Sequence, residues 1–200
     1  MPVQPSQVNA MSVTTKPMTI EEYLTYDDGT DTRYELVNGE LIAMPTESDI
    51  NDRIAAFLFA TFLQLGTPYY CLSMKAQIAV SGTRATARQP DLMFLSEETV
   101  TALKGVNQRL ITQDMPPPLL VVEVVSPKQE TRDYRYKRTE YAARQIPEYW
   151  IVDPIAQKVT VLQWMDGLYE EQVYQDDAVI LSHIFAELTL TAAQILNAGN

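Results

Sequence analysis

Eight residues, LLVVEVVS at 119–126, limit the architecture of this chain more firmly than any other stretch. An almost unbroken apolar run closed by Pro118 and Pro127 is the pattern of a central strand buried on both faces. Such a strand needs a layer above and a layer below. Glu123 stands in the middle of the run, where strand alternation puts it on one face with Val121 and Val125. Burying an ionised carboxylate there costs several kcal/mol unless a cation or hydrogen bonds compensate it. Glu123 therefore requires a partner, and a structural salt bridge to an arginine and a functional site are both open at this point.

The 200 residues make one domain's worth of chain. Residues 1–17 mix Pro, Gln, Ser and Thr without periodicity and read as a mobile tail, leaving 18–200 as the single domain. Thr19 with Glu22 is a capping box for a short helix. YELVNGEL predicts two strands turning at Asn38-Gly39, where both central positions need positive φ. Ile50, Ile54, Phe57, Leu58, Phe62 and Leu65 recur at helical spacing and predict a helix over 49–65 packed on a sheet. KAQIAV and RATARQPDLMFL read together as a second hairpin, and 96–118 as irregular chain with a helical turn over EETVTAL. Beyond the central strand a helix is expected over 130–145, stopped by Pro147, then YWIVD, KVTVLQW and LYEEQVYQ as strands and ELTLTAAQILN as a closing helix. The result is an α/β domain, a central mixed β-sheet flanked by helices.

Composition narrows function by exclusion. Apolar residues at 46% and charged residues at 20% describe a folded chain with a core, and Cys71, the only cysteine, precludes an internal disulfide. No apolar run approaches the ~20 residues that span a bilayer. The amino terminus carries no basic-then-apolar signal pattern, so a cytoplasmic location is expected. A net charge of -11 argues against non-specific coating of nucleic acid, so any such contact must be local. Lys128, Arg132, Arg135, Lys137, Arg138 and Arg144 fall within 17 positions, while the last 40 residues hold no lysine or arginine. With His183 as the sole histidine, a histidine-dependent triad or a multi-histidine zinc site has no material. Gly39 and Gly82 serve turns, Ser126 before Pro127 reads as a turn former, and no phosphate-cradling glycine loop exists.

Two further features converge on Glu123. Asp91 in QPDLMFL opens another apolar strand, and two carboxylates presented by adjacent strands are what a hard, oxygen-seeking cation such as Mg2+ or Mn2+ needs. Read alone, Asp91 is an ordinary turn residue. Asp133, Lys137 and Tyr141 recur at i, i+4 and i+8 on one helix face, which lets Lys137 project over the end of the strand carrying Glu123. Read alone, Asp133 and Lys137 are a surface pair worth a few tenths of a kcal/mol.

The order Asp91, Glu123, Lys137 resembles the PD-(D/E)xK nuclease superfamily, the restriction-endonuclease-like fold, whose sites use an aspartate, a second acid, a lysine and a divalent metal. YELVNGEL, PDLMFL, VVEVVSP and DYRYKRTEYAARQIPEYWIVDP are similar, in order and spacing, to the Uma-type endonuclease family, from about Thr19 to Leu196. The resemblance implies that Asp91 and Glu123 hold Mg2+ or Mn2+, that the main-chain carbonyl of Val124 supplies another ligand, and that Glu35 lies near the site. Val125 stands where the superfamily has its lysine, and in the Uma-type branch that lysine comes from the following helix, here Lys137. The implied function is metal-dependent hydrolysis of phosphodiester bonds in nucleic acid, DNA foremost, with Lys137 orienting the attacking water. Arg132, Arg135 and Arg138 are then candidate phosphate contacts, and a homodimer is expected. Val125 and the acidic net charge favour a second reading: a catalytically silent nuclease fold acting as a binding or assembly module.

Overall fold

The computed structural model describes residues 16–44, 48–82, 84, 86–105, 109–127 and 130–198. Most of the expected tail lies outside the described residues; at its end, Lys16 reaches Glu22 at 3.6 Å. Helix α1 (Ile20–Leu24) carries the Thr19–Glu22 capping box. It leads into the hairpin β1 (Tyr34–Val37) and β2 (Glu40–Ala43). Asn38 and Gly39 turn that hairpin at φ 51° and 82°. Gly39 has a second reason to lack a side chain, because a Cβ there would meet the Pro17 Cβ at 2.7 Å. Ser48 caps α2 (Asp49–Gln64) by accepting from the Asn51 N–H.

A 3-10 turn at Tyr69–Cys71 precedes the short strand β3 (Leu72–Ser73), then β4 (Gln77–Val80), β5 (Thr86–Arg88) and β6 (Leu92–Phe94). Helix α3 (Glu97–Ala102), β7 (Leu110–Ile111) and β8 (Leu120–Val124) follow. A π-helical segment, Arg132–Lys137, runs directly into α4 (Arg138–Ala143). The chain closes with β9 (Glu148–Asp153), β10 (Lys158–Met165), β11 (Leu168–Tyr174) and α5 (Ala192–Asn197).

The expected mixed sheet is present as two. Strands run β11-β10-β9-β8-β6-β3 in the larger and β2-β1-β5-β4-β7 in the smaller. β8 is parallel to β9 and antiparallel to β6, and all five of its residues are buried. One face of the larger sheet packs Val122, Val124, Trp150 and Val152 against Ile54, Leu58 and Phe62 of α2 and Ile195 of α5. The other packs Val121, Val125, Tyr149 and Ile151 against Ile78 and Val80 of the smaller sheet and Tyr141 of α4. Alternation therefore aims Glu123 into the layer between the sheets.

Three sequence expectations are corrected. Residues 84–95 are not one hairpin arm: β4 pairs β5, but at Gln89-Pro90 the chain leaves the smaller sheet and β6 joins the larger. Proline has no N–H for the ladder, which makes Pro90 a natural crossing point. The closing helix starts later than expected, because Thr191 is its N-cap, with Gln194 completing the box. Within 96–118, β7 pairs in parallel with β4, and residues 110–111 are too few for any period to register.

Candidate active site

At the end of β8 the larger sheet packs against the smaller one, Val125 lying in the same cluster as Ile78 and Val80. The antiparallel register pairs Leu92 with Val122, so one step further places Asp91 opposite Glu123. The Asp91 carboxylate turns to the backbone there, its Oδ2 accepting from the Val124 N–H at 2.6 Å. The Val124 carbonyl accepts from Asn51 Nδ2 at 3.1 Å, and the same amide group reaches Ser126 Oγ at 3.0 Å. Both polar groups of Val124 are thus satisfied where strand pairing to β6 has ended.

Glu123 itself is 3% exposed. Its Oε1 accepts from the Tyr141 hydroxyl at 2.6 Å, and its Oε2 lies 2.7 Å from Lys137 Nζ. Lys137 also reaches Asp133 Oδ1 at 3.1 Å, with Glu35 Oε1 at 4.0 Å. Asp133, Lys137 and Tyr141 do share one face, as their spacing predicts, but that face is interior. The surface-pair reading of Asp133 and Lys137 is therefore overturned, and so is an arginine as the counter-ion of Glu123. The π-helical turn that carries both residues is a rare geometry that recurs at functional sites.

Glu35 belongs to the same cluster from the other sheet. Arg88 binds it at 3.0 Å and grips Glu140 with two hydrogen bonds of 2.7 Å each, tying β1, β5 and α4 together. The Gln89 N–H donates to Glu35 Oε1 at 3.2 Å, and Arg132 approaches Oε2 at 3.6 Å. Of the arginines expected at phosphates, Arg132 turns to the buried acids Glu35 and Asp133, and Arg138 pairs at the surface with Glu171 and donates to the Tyr169 carbonyl. Arg135 is exposed.

These neighbours set the protonation of the cluster. Burial pushes the Glu123 carboxyl up to about 7; Lys137 opposes the rise, while Asp133 and Glu35 add to it. Burial would depress the Lys137 ammonium, but Glu123, Asp133 and Glu35 outweigh it and hold it above its ordinary value. Burial likewise works to raise Glu35, and Lys137, Arg88 and Arg132 together hold it below the usual carboxylate range.

Sequence reasoning missed Asn51, Arg88 and Glu140. The signal for Asn51 was a polar residue on the apolar face of α2, one position past Ile50; Arg88 and Glu140 carried none, since their pairing depends on how two sheets and a helix meet. Among the described residues, no three His, Cys, Asp or Glu side chains form a group that could hold a metal. The donors at the β8 end are Asp91, Glu123 and the Val124 carbonyl, all hard oxygens. Mg2+ is commonly held by one or two carboxylates, with water and substrate phosphate completing its shell, so this donor set fits such a cation. A carboxylate has about four lone-pair sites, so the two contacts of Glu123 leave it able to ligate.

A family model described as Uma2, putative restriction endonuclease, matches residues 20–193. Among solved structures, a putative nuclease belonging to DUF820 from Anabaena variabilis superposes with a TM-score of 0.73 at 18% identity, covering 92% of this chain and 100% of that one. At that identity the likeness is one of fold. No curated protein matches the chain.

Proposed function

The chain belongs to the Uma2 (putative restriction endonuclease) family, and from that premise we propose that it is a divalent-metal-dependent endonuclease cutting phosphodiester bonds in DNA. The observation that supports the reading is the Lys137 ammonium 2.7 Å from the buried Glu123 carboxylate, on the strand whose next residue, Val124, donates its N–H to Asp91. Asp91, Glu123 and the Val124 carbonyl would hold Mg2+ or Mn2+. When bound, such a cation polarises the scissile phosphate and helps a water ionise.

The protein's own groups do the rest. Lys137 spends two N–H groups on Glu123 and Asp133, while Glu35 at 4.0 Å is beyond hydrogen-bond reach. The third is left for a water or a phosphate oxygen, where it would orient the nucleophile and offset developing charge. Glu35 acts on Lys137 electrostatically and, through Arg88 and Glu140, fixes the smaller sheet against α4. Tyr141 positions the Glu123 carboxylate. The proposed place of action is the cytoplasm. No helix among the described residues is long and apolar enough to cross a membrane. A homodimer would find an edge strand in β11, where Leu168 is 74% exposed.

A silent nuclease fold is the second reading, favoured by the burial of Lys137 at 1% exposure. Incubation with plasmid, linear and single-stranded DNA and with RNA, with and without Mn2+, separates the two. Mn2+-dependent cleavage by wild type, lost in Glu123→Gln, supports the enzyme; equal cleavage by both removes Glu123 from the mechanism. A thermal shift of the protein with Mg2+ or Mn2+ reads the metal site independently of turnover.

A further inference from the structure

The chain has fifteen lysines and arginines, and the structure turns many of them inward or onto neighbouring side chains. Arg88, Arg132 and Lys137 serve the buried cluster. Arg144 donates to the main-chain carbonyls of Thr112, Gln113 and Met115. Arg53 pairs with Asp49, and Lys158 sits over the Tyr134 ring. The basic helix that the charge distribution singled out is therefore largely committed.

A second group of cations lines two cavities away from that helix. Arg33, Lys75 and Arg109 line a cavity of about 330 Å³ beside α1, and Lys104 joins Arg109 in a neighbouring cavity of about 460 Å³. Arg109 lines both, so the two cavities adjoin at its side chain, and together they are treated as one groove. Tyrosines are interleaved with the cations: Tyr26 in the first cavity is 42% exposed, and Tyr69 and Tyr70 in the second are 73% and 48% exposed. Tyr70 donates to Glu97 at 3.3 Å through its hydroxyl, a contact at the ring's edge. The groove ends next to the candidate active site, because Gln89 lines it, donates its N–H to Glu35 and stands two positions before Asp91.

We propose that this groove binds a single strand of nucleic acid, its phosphates on Lys75, Lys104 and Arg109 and its bases against the exposed tyrosines, and leads it past Gln89 to the end of β8. Cations interleaved with aromatic rings are what an unpaired strand needs, since its phosphates want charge and its bases want a flat face. A duplex keeps its base faces stacked inside and gains only the charge. On a chain of net charge -11, binding at a basic groove also stays local. Delivery to the cleavage site rests on the nuclease reading; the binding does not.

The test is fluorescence anisotropy of the full-length protein in EDTA with labelled 20-mers: oligo-dT, oligo-U and a mixed-sequence duplex. Single strands should bind about 10-fold or more tighter than the duplex, and the dT and U arms report which sugar is preferred. Tyr69→Ala combined with Tyr70→Ala should weaken single-strand binding about 10-fold. Lys75→Glu and Arg109→Glu should each weaken it about 5-fold or more, while Arg53→Glu, an equal charge change on α2, should not. Equal affinity for duplex and single strand, or equal loss in Arg53→Glu, would overturn the groove. Cleavage assays on the same variants keep the two ideas apart. Duplex cleavage without single-strand binding sinks the groove and leaves the nuclease; groove-dependent binding without any cleavage does the reverse.

Discussion

Lys137 and Glu123 meet in the interior with Nζ and Oε2 2.7 Å apart and with 1% and 4% of their side chains exposed. One ammonium there faces the carboxylates of Glu123, Asp133 and Glu35. Removing it leaves the buried Glu123 carboxylate without a counter-ion, which typically costs about 3–5 kcal/mol. Lys137→Met should therefore lose stability on that scale in urea denaturation. Adding Glu123→Gln should recover part of the loss, because the partner charge disappears with it. Simple addition of the two penalties would mean that the pair is not coupled.

Asp91 can act as a backbone cap, as a metal ligand, or as both, and two substitutions separate these roles. Asn keeps an acceptor for the Val124 N–H, which Asp91 binds at 2.6 Å, but loses the charge. Asp91→Asn should melt close to wild type and show a much smaller thermal shift with Mn2+. Asp91→Ala should also orphan the N–H, at about 1–3 kcal/mol. A full Mn2+ shift in Asp91→Asn would exclude Asp91 as a ligand.

Asn51 offers a parallel test on the other group of Val124. It is 2% exposed, and its amide bridges the Val124 carbonyl and Ser126 Oγ. Asn51→Ala should cost about 1–3 kcal/mol in chemical denaturation. A loss within error of zero would show that water replaces the amide and that the β8 end is wetter than its burial indicates.

The sequence made the central strand, its buried acid and the face shared by Asp133, Lys137 and Tyr141 legible, because each follows from a period of two or of about four residues. The direction of that helix face was not legible. A lysine four residues after an aspartate looks the same on a surface helix as in a core, and only the packing of α4 between β8 and the smaller sheet decides. The split into two sheets was hidden for a related reason: Arg88 and Leu92 both sit in strand-like sequence, and Pro90 marks a break in the ladder without saying that the two sides join different sheets. Arg88 with Glu140 spans 52 residues, a pairing that no sequence window contains.

Alkaline titration tests the packing around the same cluster by a route that needs no activity. Burial pushes the Tyr23 hydroxyl up to about 12, its Gln77 hydrogen bond opposing and Glu35 adding to the rise. Tyr141 and Tyr149 are held well above 10 by burial first and then by the Glu123 carboxylate. An unfolded tyrosine ionises near ~10. The folded state thus prefers the neutral phenol: this contribution to stability is whole below about pH 10 and is lost as pH rises through the folded-state values. Tyrosinate absorbance near 295 nm should therefore rise in two stages, the later one coinciding with loss of the near-ultraviolet circular dichroism. A single stage near pH 10 involving all eleven tyrosines, with the circular dichroism intact, would mean that water reaches Tyr141, and with it Glu123, and the buried character of the site would be wrong.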